Sequence, residues 1–150
     1  MAGGKGVRFW PLSRSAKAKQ FLSVLGPSTL IEQTLSRVSS LSKSVWILGS
    51  EKQKKFLKEA TKAYSPFLFL EPEGRNTASC IGWAAWTFAQ ENPDDVVIFM
   101  PSDHWISPKK TFLKTLQLAV SSAKEQDKLV TLGIKPTSPH TGYGYIETEN

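Results

Sequence analysis

The sequence predicts an α/β domain with a mostly parallel sheet covered by helices on both faces. Short β-branched or aromatic runs at 44–48, 67–70, 96–100 and 129–134 alternate with longer segments of helical spacing, which is the pattern of βαβ crossovers. Gly, Pro and Ser are dispersed as turn punctuation instead of gathering in a linker, and no tandem repeat or low-complexity block interrupts the chain. A length of 150 residues with 40% hydrophobic side chains supports one core and not two.

Each element has its own local signal. Thr29-Leu30-Ile31-Glu32 and Ser50-Glu51-Lys52-Gln53 both fit the capping box and predict helices over 30–38 and 51–64. Asn76 is expected to cap a helix that runs through Ala78, Ile81, Ala85 and Phe88 to about residue 90. Ser107 stands as a capping hydroxyl before Pro108, ahead of Phe112, Leu116, Ala119, Val120 and Ala123 at amphipathic spacing. A further strand is expected over 143–147, and most of the five tryptophans read as core or helix-packing residues. Both ends read as interrupted, since a glycine-rich stretch begins at residue 3 with no strand ahead of it and the chain stops just after 143–147. A parallel sheet broken in this way is expected to leave unpaired edges and exposed apolar surface.

Composition removes several functional classes. No run of about 18 apolar residues is present, nor a charged segment followed by an apolar one at the start, so the expectation is a soluble, cytoplasmic protein with no membrane partner. A lone Cys80 and two dispersed histidines argue against disulfides and zinc. The net charge of +6 is uneven: residues 1–62 hold 12 Lys/Arg against 3 Asp/Glu, and the remainder is net acidic. An anionic ligand is therefore expected against the first third of the chain.

Four segments carry chemistry. Gly3, Gly4 and Gly6, with Lys5, Arg8, Arg14 and Lys19 near them, suit several phosphates, because glycine lets backbone N–H groups approach an anion. By spacing alone this stretch is equally an exposed loop with surface lysines. Glu71 and Glu73 lie where a strand end runs into a helix N-terminus, and either can accept from the N1–H and N2 edge of guanine. Asp103 follows the apolar run 96–100 and can hold Mg²⁺ through one or two oxygens, while His104 reads as a loop hydrogen-bonder. The last segment, from Gly133 to Glu147, is framed by prolines and glycines and exposes backbone at Gly142 and Gly144.

In this order the four segments resemble the sugar-phosphate nucleotidyltransferases, and within them the bacterial mannose-1-phosphate guanylyltransferases. The family signature Ala-Gly-Gly-x-Gly-x-Arg-x-x-Pro-Leu-Ser-Arg is matched from Ala2 to Arg14, its Pro-Lys-Gln-Phe by Ala18-Lys19-Gln20-Phe21, and the guanylyl-branch motifs by Glu71-Pro72-Glu73-Gly74-Arg75-Asn76-Thr77-Ala78, Pro101-Ser102-Asp103-His104 and the Gly133 to Glu147 segment. The resemblance implies a Rossmann-like nucleotidyltransferase domain, of which residues 1–150 are the N-terminal part. It also implies guanylyl transfer from GTP to mannose 1-phosphate with Mg²⁺, giving GDP-mannose and pyrophosphate. Arg8, Lys19 and Asp103 would be the catalytic residues, with Asp103 the metal ligand. Ala2, Gly3, Gly4, Gly6, Glu71, Asn76, Thr77 and Ser102 would bind the nucleotide, and Gly144 the sugar.

Ala18 stands where the family has proline, and the family's later sugar-gripping and second metal-binding segments have no counterpart within the 150 residues. A nucleotide-binding remnant without turnover is therefore the rival reading. A nucleic-acid module is the weaker one, because no aromatic stripe accompanies the lysines.

Overall fold

The computed structural model describes residues 1–4, 9–14, 18–42 and 44–148, and it has the α/β architecture. Two strands, β1 (Trp46–Ser50) and β2 (Phe67–Glu71), pair in parallel, with Trp46 opposite Phe67 and Ser50 opposite Glu71. A parallel pair needs a crossover, which is supplied by α2 (Lys54–Ala60) between short 3-10 turns at Glu51–Gln53 and Lys62–Tyr64. Helix α1 (Leu30–Val38) precedes the sheet, while α3 (Asn76–Glu91) and α4 (Lys109–Gln126) follow it.

Successive side chains of a strand point to opposite faces, and β1 uses both. Ile47 joins Ala2, Ala18, Phe21, Ile31, Leu35 and Leu57 in one apolar cluster, whereas Leu48 joins Cys80 and Ala84 in another that Met1, Phe69, Phe88 and Phe99 surround. Helices α1 and α2 thus cover one face and α3 the other. The approach of α2 depends on Gly49: a Cβ there would stand 2.5 Å from Leu57 Cδ1, and Leu57 has no exposed surface.

Where local chemistry and packing agree, the expected element forms. Helix α1 spans the predicted residues, with the Glu32 N–H donating to Thr29 Oγ1 at 3.3 Å and the Thr29 N–H donating to the Glu32 carboxylate at 2.7 Å. Elsewhere the helix starts differ. Ser50 Oγ accepts from the Lys52 N–H at 3.3 Å and closes a 3-10 turn instead of a capping box. The helix predicted over 51–64 also stops at Ala60, where buried Thr61 turns its hydroxyl back onto the Leu57 carbonyl at 2.6 Å. Asn76 is the first residue of α3 and not its cap, at φ 73°, a left-handed value that asparagine tolerates. Pro108, not Ser107, holds the cap position of α4, so no side chain caps that helix.

Three predicted strands do not form. The run 96–100 has no ladder. Backbone hydrogen bonds of the first two residues link it to β1: the Met1 ammonium donates to the Met100 carbonyl at 2.8 Å, the Ser102 N–H donates to the Met1 carbonyl at 3.1 Å, and the Ala2 N–H donates to the Leu48 carbonyl at 2.6 Å. Before this bridge lies a cavity of about 690 Å³ that Trp46 and Leu48 line from one side and Ile98 and Met100 from the other. The segments 129–134 and 143–147 lie on the surface, with Leu129, Ile134 and Ile146 exposed. No packed surface buries their alternate side chains, so nothing offsets the cost of ordering them as strands. The tryptophans also stay outside the core: Trp10, Trp86 and Trp105 are mostly exposed, Trp46 stacks on Phe67 and Trp83 leans on Phe69. Among the described residues no helix is long and apolar enough to cross a membrane.

Leu57→Ala should cost about 3 kcal/mol through the cavity it leaves, and Gly49→Ala about 1–3 kcal/mol through overpacking. Urea unfolding should show the double variant losing clearly less than the two single losses combined, because the added methyl enters the space Leu57 vacates.

Candidate functional site

Loops at the carboxyl ends of parallel strands are where open α/β sheets gather ligands, and here these are the loops beyond Ser50 and Glu71. Residues 2–4 cross in front of them. The Ala2 carbonyl accepts from Gln20 Nε2 at 2.6 Å and the Gly4 carbonyl from Gln53 Nε2 at 3.4 Å, while Gly3 and Gly4 are exposed. Arg8 and Gly6 lie outside the described residues.

Lys19 opens a 3-10 turn whose next two residues, Gln20 and Phe21, are buried. Phe21 sits in the core 5.8 Å from the Phe56 ring, so the turn is anchored from below and its first side chain is left at the surface. The Lys19 ammonium stands 3.0 Å from Asp103 Oδ2 and 4.7 Å from the centroid of the Phe9 ring. Ala18 adopts φ −70° and is buried. That is the φ a proline ring would impose, so packing holds the backbone where the family's proline would hold it.

Asp103 is fixed through its neighbours. Ser102, buried, is held at its N–H by Met1 and at its carbonyl by Thr34 Oγ1 at 3.2 Å. The His104 carbonyl accepts from Arg37 Nη2 at 2.8 Å. The imidazole of His104 is exposed, in keeping with a loop residue that contributes backbone. Lys19 and Asp103, drawn from segments 84 positions apart in sequence, thus meet as an ion pair beside the glycine-bearing stretch.

Glu71 ends β2 and is 7% exposed. A Cβ on Gly3 would stand 3.5 Å from Glu71 Oε2, which places the carboxylate directly behind the glycines. Burial, then the charge of Glu71 and its hydrogen-bonding interaction with the thiol, push Cys80 up to about 11. Cys80 is accordingly a buried, protonated donor with little thiolate character. Glu73 faces solvent and pairs with Arg75 at 2.7 Å. Asn76 and Thr77 begin α3 at the same end of the sheet, both exposed. Gly144 is not drawn in: it lies on the exposed segment after α4, nothing approaches within 4 Å of where its Cβ would be, and its neighbour Tyr145 donates to the His140 carbonyl at 3.0 Å.

The four motifs did not point to Thr34, Arg37 or Gln53. The only readable signal was that Thr34 and Arg37 share the apolar stripe of α1 with Leu30, Ile31 and Val38, where an arginine has no reason to be unless its charge is used.

Comparison with known proteins identifies the family and the fold. The nucleotidyl transferase family model matches residues 1–150. The chain is 43% identical to mannose-1-phosphate guanylyltransferase of Salmonella montevideo, covering 97% of this chain and 31% of that protein. It is 38% identical to the alginate biosynthesis protein AlgA of Pseudomonas aeruginosa, again covering 97% and 31%. Among solved structures, mannose-1-phosphate geranyltransferase from Thermus thermophilus is similar at a TM-score of 0.72 and 29% identity, over 83% of this chain and 37% of that one. Mannose-6-phosphate isomerase from Helicobacter pylori is similar at 0.66 and 27%, over 74% and 44%. The chain spans about a third of the length of the curated relatives it matches.

The raised thiol has a measurable consequence. Unfolded, Cys80 loses its proton near its ordinary value of 9.0, and folded only near about 11, so the unfolded state binds fewer protons between those values and stability falls as pH rises across them. That part of the fall should be absent from Cys80→Ala in urea titrations at successive pH. Glu71→Gln should bring the thiolate absorbance transition down towards the ordinary value without reaching it, because burial is the largest cause.

Proposed function

Because the chain belongs to the nucleotidyl transferase family, we propose that it is the N-terminal part of a nucleotidyltransferase domain that moves a guanylyl group from GTP to mannose 1-phosphate, in the cytoplasm. The observation that carries this reading is the Lys19–Asp103 pair at 3.0 Å, a cation and a carboxylate at the end of the sheet where open α/β folds take ligands, with Gly3 and Gly4 exposed beyond the buried Ala2. In the reaction a phosphate oxygen of the sugar phosphate bonds to the α-phosphorus of GTP while the bond to pyrophosphate breaks. No protein nucleophile is needed, and the protein's task is to align two polyanions and offset their charge.

Each residue then has a task. Lys19, with Arg8 from the same segment, neutralises phosphate oxygens, and the N–H groups around Gly3 and Gly4 approach them closely. Glu71 accepts from the guanine N1–H and N2 amine, which adenine lacks in that pattern, and Asn76 and Thr77 flank the base. Ser102 holds the turn that carries Asp103. Gly144 is given to the sugar by the family resemblance alone. Among the described residues no three acidic, histidine or cysteine side chains cluster as a self-sufficient metal cage. A single carboxylate facing a polyphosphate position nevertheless fits Mg²⁺, which takes one or two carboxylates and completes its shell with phosphate oxygens and water. Asp103 would hold it, and the ion would supply Lewis-acid polarisation of the phosphoryl group.

Calorimetric titration with GTP tests the reading. Lys19→Ala should weaken binding by about 10-fold to 100-fold, the worth of a charge-assisted hydrogen bond, while the melting temperature moves little because the pair is partly exposed. Affinity within two-fold of the parent would overturn the role given to Lys19. Glu71→Gln should narrow the preference for GTP over ATP; an unchanged ratio would move base reading to Asn76, Thr77 or the backbone.

A further inference from the structure

We propose that Arg37 is a positioning residue for Asp103, holding the 102–104 turn so that its carboxylate faces Lys19 and the polyphosphate. Arg37 lies on the buried side of α1 and is 6% exposed. Among the described residues no carboxylate pairs with it. Its guanidinium instead meets the His104 carbonyl, at 2.8 Å from Nη2, and the Phe112 ring of α4, 5.7 Å from the guanidinium carbon. Burial depresses its pKa, which marks the desolvation that this placement costs.

Stability alone does not account for such a residue. An apolar side chain at position 37 would complete the stripe of Leu30, Ile31, Thr34, Leu35 and Val38 and would pack on Phe112 without desolvating a charge. What the guanidinium adds is a hydrogen bond to the carbonyl of His104, the residue that follows Asp103. One turn earlier on the same helix, Thr34 Oγ1 donates to the carbonyl immediately before it, and the Ser102 N–H is held by Met1. The residues on either side of Asp103 are thus each tied to α1 through a carbonyl. A carboxylate that must share one cation with a mobile polyphosphate gains from such restraint, because supporting groups of this kind govern how well a ligand set is aimed.

This inference rests on the proposed role of Asp103, and one set of titrations separates the two. GTP is titrated by calorimetry into the chain with and without Mn²⁺ as the probe cation, and Mn²⁺ bound in the ternary complex is followed by electron paramagnetic resonance. In the parent, Mn²⁺ should tighten GTP binding, and Asp103→Asn should abolish the increment. Arg37→Met, which keeps the apolar stem on Phe112 but removes the donor, should lower Mn²⁺ affinity in the complex by about 10-fold to 100-fold while leaving metal-free GTP affinity near that of the parent. Arg37→Lys, which keeps a donor for the His104 carbonyl, should recover most of the loss. The double variant Arg37→Met/Asp103→Asn should bind no worse than Asp103→Asn alone. Leu57→Ala, destabilised at a distance from the turn, controls for stability and should keep the Mn²⁺ increment.

A full increment in Arg37→Met, or its equal loss in Leu57→Ala, overturns the positioning role and leaves that of Asp103 standing. An increment that survives Asp103→Asn overturns the role of Asp103 and the inference with it.

Discussion

Two residues of backbone hold this molecule together at its functional end. Met1 and Ala2 lie between β1 and the segment that leads to Asp103, bonded to Leu48 on one side and to Met100 and Ser102 on the other, with Gln20 closing on the Ala2 carbonyl. These bonds join the segment before Asp103 to the sheet, and with the Thr34 and Arg37 links they set the position of Asp103 relative to it. Burial depresses the pKa of the Met1 ammonium, and the charge of Asp103 nearby opposes that shift. Away from this bridge the two flanks are separated by a cavity, and the 96–100 run, apolar as it is, has no ladder to join.

The site is built from opposites set at short range. Lys19 is presented by a turn anchored through Gln20 and Phe21, Asp103 by a turn restrained by α1, and the two neutralise one another in a half-exposed position where the pair contributes little to stability. Such a pair is a reserve of charge more than a brace. Glu71 is different: it is buried behind Gly3 with the Cys80 thiol as a donor, so its carboxylate is held in one place at the end of β2. Cys80, which by its solitude argues against a disulfide or a zinc site, lies against this candidate base-reading group.

Legibility tracked how local the determining forces were. Helix α1 could be read to the residue because its cap, its spacing and its buried face all agree. The helix expected over 51–64 ended at Ala60, a boundary that the capping signal at Ser50 does not specify. Asn76 and Ser107 carried cap chemistry, yet the chain direction entering α3 and α4 put Arg75 and Pro108 in the cap positions. The runs 96–100, 129–134 and 143–147 have strand composition, but a strand exists only beside another one. The tryptophans misled for a related reason: with so few paired strands there is too little interior to receive them.

What the sequence by itself determined was the alternation that makes an α/β fold, the concentration of positive charge in the first 62 residues and the four ordered motifs that place the chain in its family, because these depend on residue type and spacing alone. Only the tertiary structure decided which of those motifs meet. It joined Lys19 to Asp103, set Gly3 against Glu71 and left Gly144 apart. It also showed that Thr34 and Arg37, inconspicuous on an amphipathic helix, are spent on the peptides around Asp103. The physical reason is that a hydrogen bond or ion pair between distant segments is fixed by how helices and strands pack against one another. Residue type states what a side chain can bond to, and only the fold states what is within reach.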